Sequence, residues 1–219
     1  MRRTSRITRR AMTSREGLVS ALASVCLLVL GATTVRADQP NQVVDALASQ
    51  VIAVLKDGQL SSDQKRDRIQ QIAYTAIDFP TLSKLVLARN YSKFSPPQLA
   101  QFEDEFKQHL SMTYGRNVDS YRNEKVDILG ERPETRGDVT VQTKILRGGG
   151  SQDIAVDYRL RQPDGQWKII DVIIEGVSLV SNFRSQFQDI VAQGGPDKLL
   201  ALLKEKNAAG EPLKAPGAD

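Results

Sequence analysis

Apolar residues change their spacing twice along this chain, from helical to alternating near Lys125 and back to helical after Gly176, and this double switch is the tightest constraint on its fold. Ahead of the first switch, Val44, Leu47, Val51, Val54 and Leu55 share one helical face that Asp57-Gly58 ends. Ser61 and Gln64 have the spacing of a capping box, in which each side chain satisfies the other residue's backbone N–H. The helix they start turns Ile69, Ile72, Ala73 and Ala76 inward and is expected to be interrupted at Pro80; a short helix with Leu82, Leu85 and Val86 follows. Ser95-Pro96-Pro97-Gln98 then joins an N-cap serine, proline in the first turn and glutamine at the third helical position. It predicts the longest helix, because Leu99, Phe102, Phe106, Leu110 and Tyr114 recur every three or four residues and Tyr121 prolongs the stripe to about Asn123.

Beyond Lys125 the period is two. Val139, Val141, Thr143 and Ile145 alternate with polar neighbours, as do Ile154, Val156, Tyr158 and Leu160, so each strand has one dry and one wet face. Gly148-Gly149-Gly150 and Pro163-Asp164-Gly165 supply the hairpin turns. The strand at 167–174 is apolar on both faces, and a weaker strand covers 126–130. After Glu175-Gly176, Leu179, Val180, Phe183, Phe187, Ile190 and Val191 define a helix stopped by Gly194-Gly195-Pro196, and Leu199, Leu200, Leu202 and Leu203 a last short one. Helices, sheet, helices predicts an α+β domain: a four-stranded curved antiparallel sheet packed against N- and C-terminal helices. Its limits are residues 38–207, with a flexible tail at 208–219 where Ala, Gly and Pro dominate.

Composition matters chiefly through where the charge lies. The chain has 30 basic and 26 acidic residues, a formal +4 that invites a nucleic-acid reading. Seven of the basic residues, Arg2, Arg3, Arg6, Arg9, Arg10, Arg15 and Arg36, and one acid, Glu16, precede position 38. That stretch has a basic start, an apolar segment from Leu18 to Leu30 of secretory length and a small-residue end at Val35-Arg36-Ala37, so residues 1–37 are expected to be a signal peptide cleaved after Ala37. Arg9-Arg10 lacks the flanking pattern of a twin-arginine signal, and Val25 before Cys26 is too large for lipoprotein processing. The mature chain then has 23 basic and 25 acidic residues, a net −2 that removes the argument for nucleic acid. It also loses Cys26, the only cysteine, and with it any disulfide, thiol nucleophile or thiolate metal site.

Reactive groups are few. His109 is the only histidine and sits in the aromatic helix, which excludes histidine clusters and Cys-His pairs. The three glycines at 148–150 lack the Lys-Ser/Thr of a phosphate loop. Asp157 reads as a wet-face residue beside Arg159 and Arg161, and Glu103, Asp104 and Glu105 as the solvated side of their helix. Asp171 and Glu175 flank strongly apolar stretches and are the candidate general bases, should a pocket surround them. Apolar lining is what the chain has in quantity: Phe102, Phe106, Leu110 and Tyr114 on one wall, Val141, Ile145, Ile154, Val156 and Tyr158 on the other. Periodicity alone fits a filled core and a lipid-sized cavity equally, the filled core being the simpler reading.

Three segments carry a family resemblance. They are Ile77-Asp-Phe-Pro-Thr-Leu-Ser-Lys-Leu-Val-Leu-Ala-Arg-Asn-Tyr91, the Ser95-Pro-Pro-Gln helix with Phe102, Phe106 and Tyr114, and the run from Trp167 through Glu175-Gly176-Val177-Ser178 to Phe187. In order and spacing, over roughly residues 40 to 205, they resemble the MlaC family of toluene-tolerance or ABC-transporter auxiliary proteins. Ala88 stands where glycine is common in that family and Tyr91 where tryptophan is common.

The resemblance implies a nuclear-transport-factor-like sheet and a periplasmic phospholipid shuttle without cofactor or catalysis. Its partners would be an outer-membrane lipoprotein complex and an inner-membrane ABC transporter complex, and its role the maintenance of outer-membrane lipid asymmetry. It implies an acyl-chain lining of Phe106, Val141, Ile145, Ile154, Val156, Tyr158, Ile170, Val172 and Ile174, and a portal and docking region at Glu175, Gly176, Val177 and Ser178. A sister branch associated with hopanoids shares the fold. The competing expectation is a ketosteroid-isomerase-like enzyme with Asp171 or Glu175 as base.

Overall fold

The computed structural model describes residues 39–115, 121, 123–148 and 150–213. The signal peptide with its cleavage point and the end of the tail lie outside the described residues. Helix α1 (Pro40–Lys56) starts with proline in its first turn, and the Gln42 side chain accepts from the Gln39 N–H at 3.1 Å. Helix α2 (Ser62–Ala76) has the reciprocal box read from its sequence: the Gln64 N–H donates to Ser61 Oγ at 3.3 Å and the Ser61 N–H to Gln64 Oε1 at 2.9 Å. Helix α4 (Pro96–Tyr114) repeats the device with Ser95 and Gln98.

Between them, Pro80 does not interrupt a helix. It lies in the first turn of α3 (Phe79–Leu87), which Asp78 caps by accepting from the Thr81 N–H at 3.0 Å, so the missing proline donor falls where no helical partner exists. Ala88 ends α3 at φ 48°, ψ −121°, a conformation glycine adopts without strain and alanine does not, and a 3-10 turn (Ala88–Lys93) leads on to α4.

The sheet is a meander in the order β1 (Lys125–Pro133), β2 (Val139–Leu146), β3 (Ile154–Arg161), β4 (Lys168–Ile174), β5 (Val177–Ser178), antiparallel throughout. Four strands were legible; β5, two residues long, has no period to read and adds a fifth. The register slips between Ile128 and Gly130 and again between Arg159 and Leu160, and such bulges bend and twist the strands that carry them. The Asp78 N–H donates to the Ile169 carbonyl at 2.9 Å, fastening the start of α3 alongside β4.

Helix α5 (Leu179–Ala209) contains the stop expected at Gly194-Gly195-Pro196. Gly195, at φ 70° and ψ −170°, breaks the helical path, and Pro196 restarts it. The second segment folds back, with Leu199, Leu200 and Leu203 in the core and Gln98 Nε2 on Asp197 Oδ1 at 2.7 Å. The tail is held further than its composition suggested: α5 continues to Ala209, Gly210 closes it in the left-handed region, and Leu213 packs on the helical core. Helix α4 is shorter than the stripe suggested, ending at Tyr114, which is 43% exposed, with Tyr121 outside any helix.

Two apolar clusters result. All six phenylalanines of the chain sit in the one built by α3, α4 and α5, where Phe102 and Phe106 stack at 5.4 Å and Phe183 and Phe187 meet them edge-on. The other puts Val44 of α1 over Val141, Leu160 and Ile169 of the sheet.

Candidate functional site

Residues directly opposite in an antiparallel pair share a face, so the register sorts the expected lining. Val141, Tyr158 and Val172 form one cross-strand row; Thr143, Val156 and Ile174 a second; Ile145 and Ile154 a third. Seven of the nine expected residues therefore occupy one face of the sheet. Helix α1 covers its Val141 end, whereas Ile145, Ile154 and Ile174 toward the far end are only half-buried.

An apolar cavity of about 30 Å³ lies between β4 and the helical layer. Strand β4 lends Ile169, Ile170 and Val172, α3 lends Leu82 and Val86, α4 lends Phe106 and Leu110, and α5 lends Val180 and Phe183. Of the expected lining, Phe106, Ile170 and Val172 meet here; Val141, Ile145, Ile154, Val156, Tyr158 and Ile174 continue the sheet face away from it. The helical contributors carried an inward-facing signal in the sequence, but one that served core and cavity alike.

Asp171 is the polar exception in this wall. It is 3% exposed, its Oδ2 accepts from the Ser178 hydroxyl at 2.6 Å and its Oδ1 from the Val180 N–H at 3.0 Å. Both oxygens thus satisfy the start of α5, whose N-terminal N–H groups have no helical acceptor and whose dipole favours an anion. Ser178 completes the cap by accepting from the Ser181 N–H at 3.0 Å. The carboxylate is an anchor between β4 and α5.

Glu175 and Gly176 make the two-residue turn from β4 to β5, at φ 49° and φ 81°. Glu175 is tied back to β3, its N–H donating to the Ala155 carbonyl at 2.9 Å and its carboxylate accepting from the Ala155 N–H. Its side chain closes the hairpin instead of facing the cavity. Val177, by contrast, is 58% exposed beside this turn.

His109 is fully buried behind the cavity, its ring edge-on to Phe183 at 6.0 Å. Its Nε2 accepts from the Leu213 N–H at 3.2 Å, which leaves Nδ1–H to donate to Asn207 Oδ1 at 3.0 Å. Burial lowers its pKa, with the Asn207 bond opposing. It clasps α4, α5 and the chain after α5 together. Among the described residues no group of three or more His, Cys, Asp or Glu is placed to hold a metal, and no helix is long and apolar enough to cross a membrane.

The chain is similar in sequence and in fold to known proteins. The family model described as MlaC protein matches residues 45–205. Toluene tolerance protein ttg2D of Pseudomonas putida is 29% identical over 188 residues, 84% of this chain and 85% of that protein. The intermembrane phospholipid transport system binding protein MlaC of Haemophilus influenzae is 24% identical over 133 residues, 58% of this chain and 60% of that one. A solved structure of the phospholipid-binding protein from Ralstonia solanacearum, in complex with a phospholipid, aligns with a TM-score of 0.71 at 27% identity, covering 79% of this chain and 99% of that one.

Proposed function

The chain belongs to the MlaC protein family, and from that premise we propose that it is a periplasmic phospholipid carrier working between an outer-membrane lipoprotein complex and an inner-membrane ABC transporter complex. The observation that carries the reading is the apolar cavity between β4 and α3, α4 and α5, in a chain similar to a protein solved with phospholipid bound. Each buried CH₂ contributes about 0.8 kcal/mol, so two acyl chains leave water only for a continuous apolar wall, and such a wall needs no catalytic group. Asp171 and Glu175, the candidate bases, are engaged in holding α5 and the β3–β4 edge, and the proposal gives neither a chemical step.

At about 30 Å³ the cavity has room for little more than a water-sized group, far below the roughly 300–1,000 Å³ that accommodates drug-sized ligands, so in this reading the structure is a closed form. Loading a two-chain lipid requires the helical layer to part from β4 and expose the sheet face that runs on through Val156, Ile154 and Ile145. The turn at Glu175-Gly176, where α5 leaves the sheet, and the α2–α3 junction at Pro80 are the hinges in this reading. The exposed residues Glu175, Gly176 and Val177, with the half-buried Ser178, then serve as portal and docking site.

A photo-crosslinking amino acid at Val177, in living cells, tests the docking half. It should form adducts with membrane components of a lipid transport system that the same probe at Leu129, equally exposed at 62% on the opposite edge strand, does not form. Adducts from Leu129 alone would place the docking surface elsewhere.

A further inference from the structure

Tyr158 occupies the middle of the apolar sheet face, directly between Val141 of β2 and the cavity-lining Val172 of β4. Its ring packs against the cluster of Val44, Val141, Leu160 and Ile169. Burial alone pushes the phenol up to about 12, and among the described residues no group hydrogen-bonds to its hydroxyl. Tyr74 shows what the fold does with a phenol it uses internally: its hydroxyl lies 2.7 Å from Gln70 Nε2 and 3.0 Å from Ser111 Oγ. The hydroxyl is not among the buried polar atoms left without a partner, so its hydrogen bond is made to something outside the fold. The residue stays partly accessible, so an acceptor can reach it from outside the fold.

The surroundings select the acceptor. The rows that share the face of Tyr158 carry Val141, Thr143, Val156, Val172 and Ile174, with no basic residue among them, and the Thr143 hydroxyl already donates to the Val156 carbonyl. Arg159 points to the other face by strand alternation. A phosphate would be unneutralised there, whereas an ester carbonyl is neutral, accepts one hydrogen bond and sits where acyl chains end.

We propose that the Tyr158 hydroxyl donates a hydrogen bond to a glycerol-ester carbonyl of the bound phospholipid, fixing how far the acyl chains enter and selecting ester-linked over ether-linked lipid. The inference rests on the phospholipid-carrier reading.

The test compares binding of a diacyl phosphatidylglycerol with its dialkyl-ether analogue, of equal chain length and head group, by wild-type protein and by Tyr158→Phe. Wild type should favour the ester lipid by a factor of roughly 3 to 10, and Tyr158→Phe should bind the two alike. The variant only deletes an unpartnered hydroxyl and should melt no lower than wild type. A wild type without ester preference, or a variant that keeps it, overturns the inference while leaving the carrier reading intact. A wild type that binds neither lipid overturns the carrier reading itself.

Discussion

Replacing Asp171 separates an anchor from a catalytic base. Its two oxygens accept from the Ser178 hydroxyl and the Val180 N–H in a site that is 3% exposed. In Asp171→Ala both donors lose their acceptor: an N-cap loss costs about 1 kcal/mol, and a buried donor left without a charged acceptor adds about 1–3 kcal/mol, or roughly 2–4 kcal/mol together. Asp171→Asn is milder. Its carbonyl oxygen still accepts from Val180 and its amide still donates to Ser178 Oγ, so the loss is mainly the interaction of the charge with the helix N-terminus, about 1–2 kcal/mol. In a domain of this size each kcal/mol moves Tm by about 2–4 °C, so the alanine variant should melt about 5–15 °C lower and the asparagine variant about 2–8 °C lower. Thermal unfolding followed by circular dichroism reads the shift, and lipid content is measured on the same preparations. The anchor account requires the order wild type, asparagine, alanine in Tm, with the asparagine variant still carrying lipid. Three equal melting temperatures would refute it, because a carboxylate held for catalysis alone can be removed without loosening α5.

Two further perturbations follow from local geometry. Ala88→Gly should raise the urea midpoint by an amount equivalent to about 1 kcal/mol, since φ 48° with ψ −121° strains alanine by more than the extra freedom of an unfolded glycine offsets; a lowered midpoint would mean the side chain contributes packing that outweighs the strain. His109 has its folded-state pKa lowered, so the stability it contributes is present above its unfolded value near 6.5 and is lost as pH falls through the folded value. The charged ring cannot accept from Leu213, and of the carboxylates Glu105 reaches it only through Asn207, whose Nδ2 it holds at 2.8 Å. Hydrogen exchange should therefore show the Leu213 amide losing protection between pH 7 and pH 5 ahead of the α4 core, and uniform protection across that range would contradict the clasp.

Much of the fold was legible because its signals are local. The Ser61/Gln64 and Ser95/Gln98 boxes, the Pro-Asp-Gly turn and the break at Gly194-Gly195 each depend on a few adjacent residues, and each formed as read, while the glycine turn at 148–150 includes a position outside the described residues. Signals that depend on distant partners were read less well. The stripe of α4 continues in register to Tyr121, yet the helix ends at Tyr114, whose ring is left exposed, so periodicity outlasted the helix it implied. Pro80 has the same local restriction at a helix break and in a first turn, and the choice fell to Asp78, which both caps α3 and pairs with β4. The same limit governs the site. Alternation placed Val141, Ile145, Ile154, Val156, Tyr158, Val172 and Ile174 on one face, but whether helices fill the space above it or leave a cavity depends on how Leu82, Val86, Leu110, Val180 and Phe183 pack from three separate helices. Asp171 was conspicuous in sequence as an acid between apolar residues, and only the tight turn to β5 brings the α5 N-terminus to it.

Native mass spectrometry of the mature chain, purified from its host without detergent and followed by solvent extraction, addresses the carrier account most directly. The account predicts a protein bearing phospholipid in stoichiometric amount, released when the cavity wall is filled by Leu110→Trp. Ligand-free protein in its place, or bound lipid that Leu110→Trp does not displace, would contradict it.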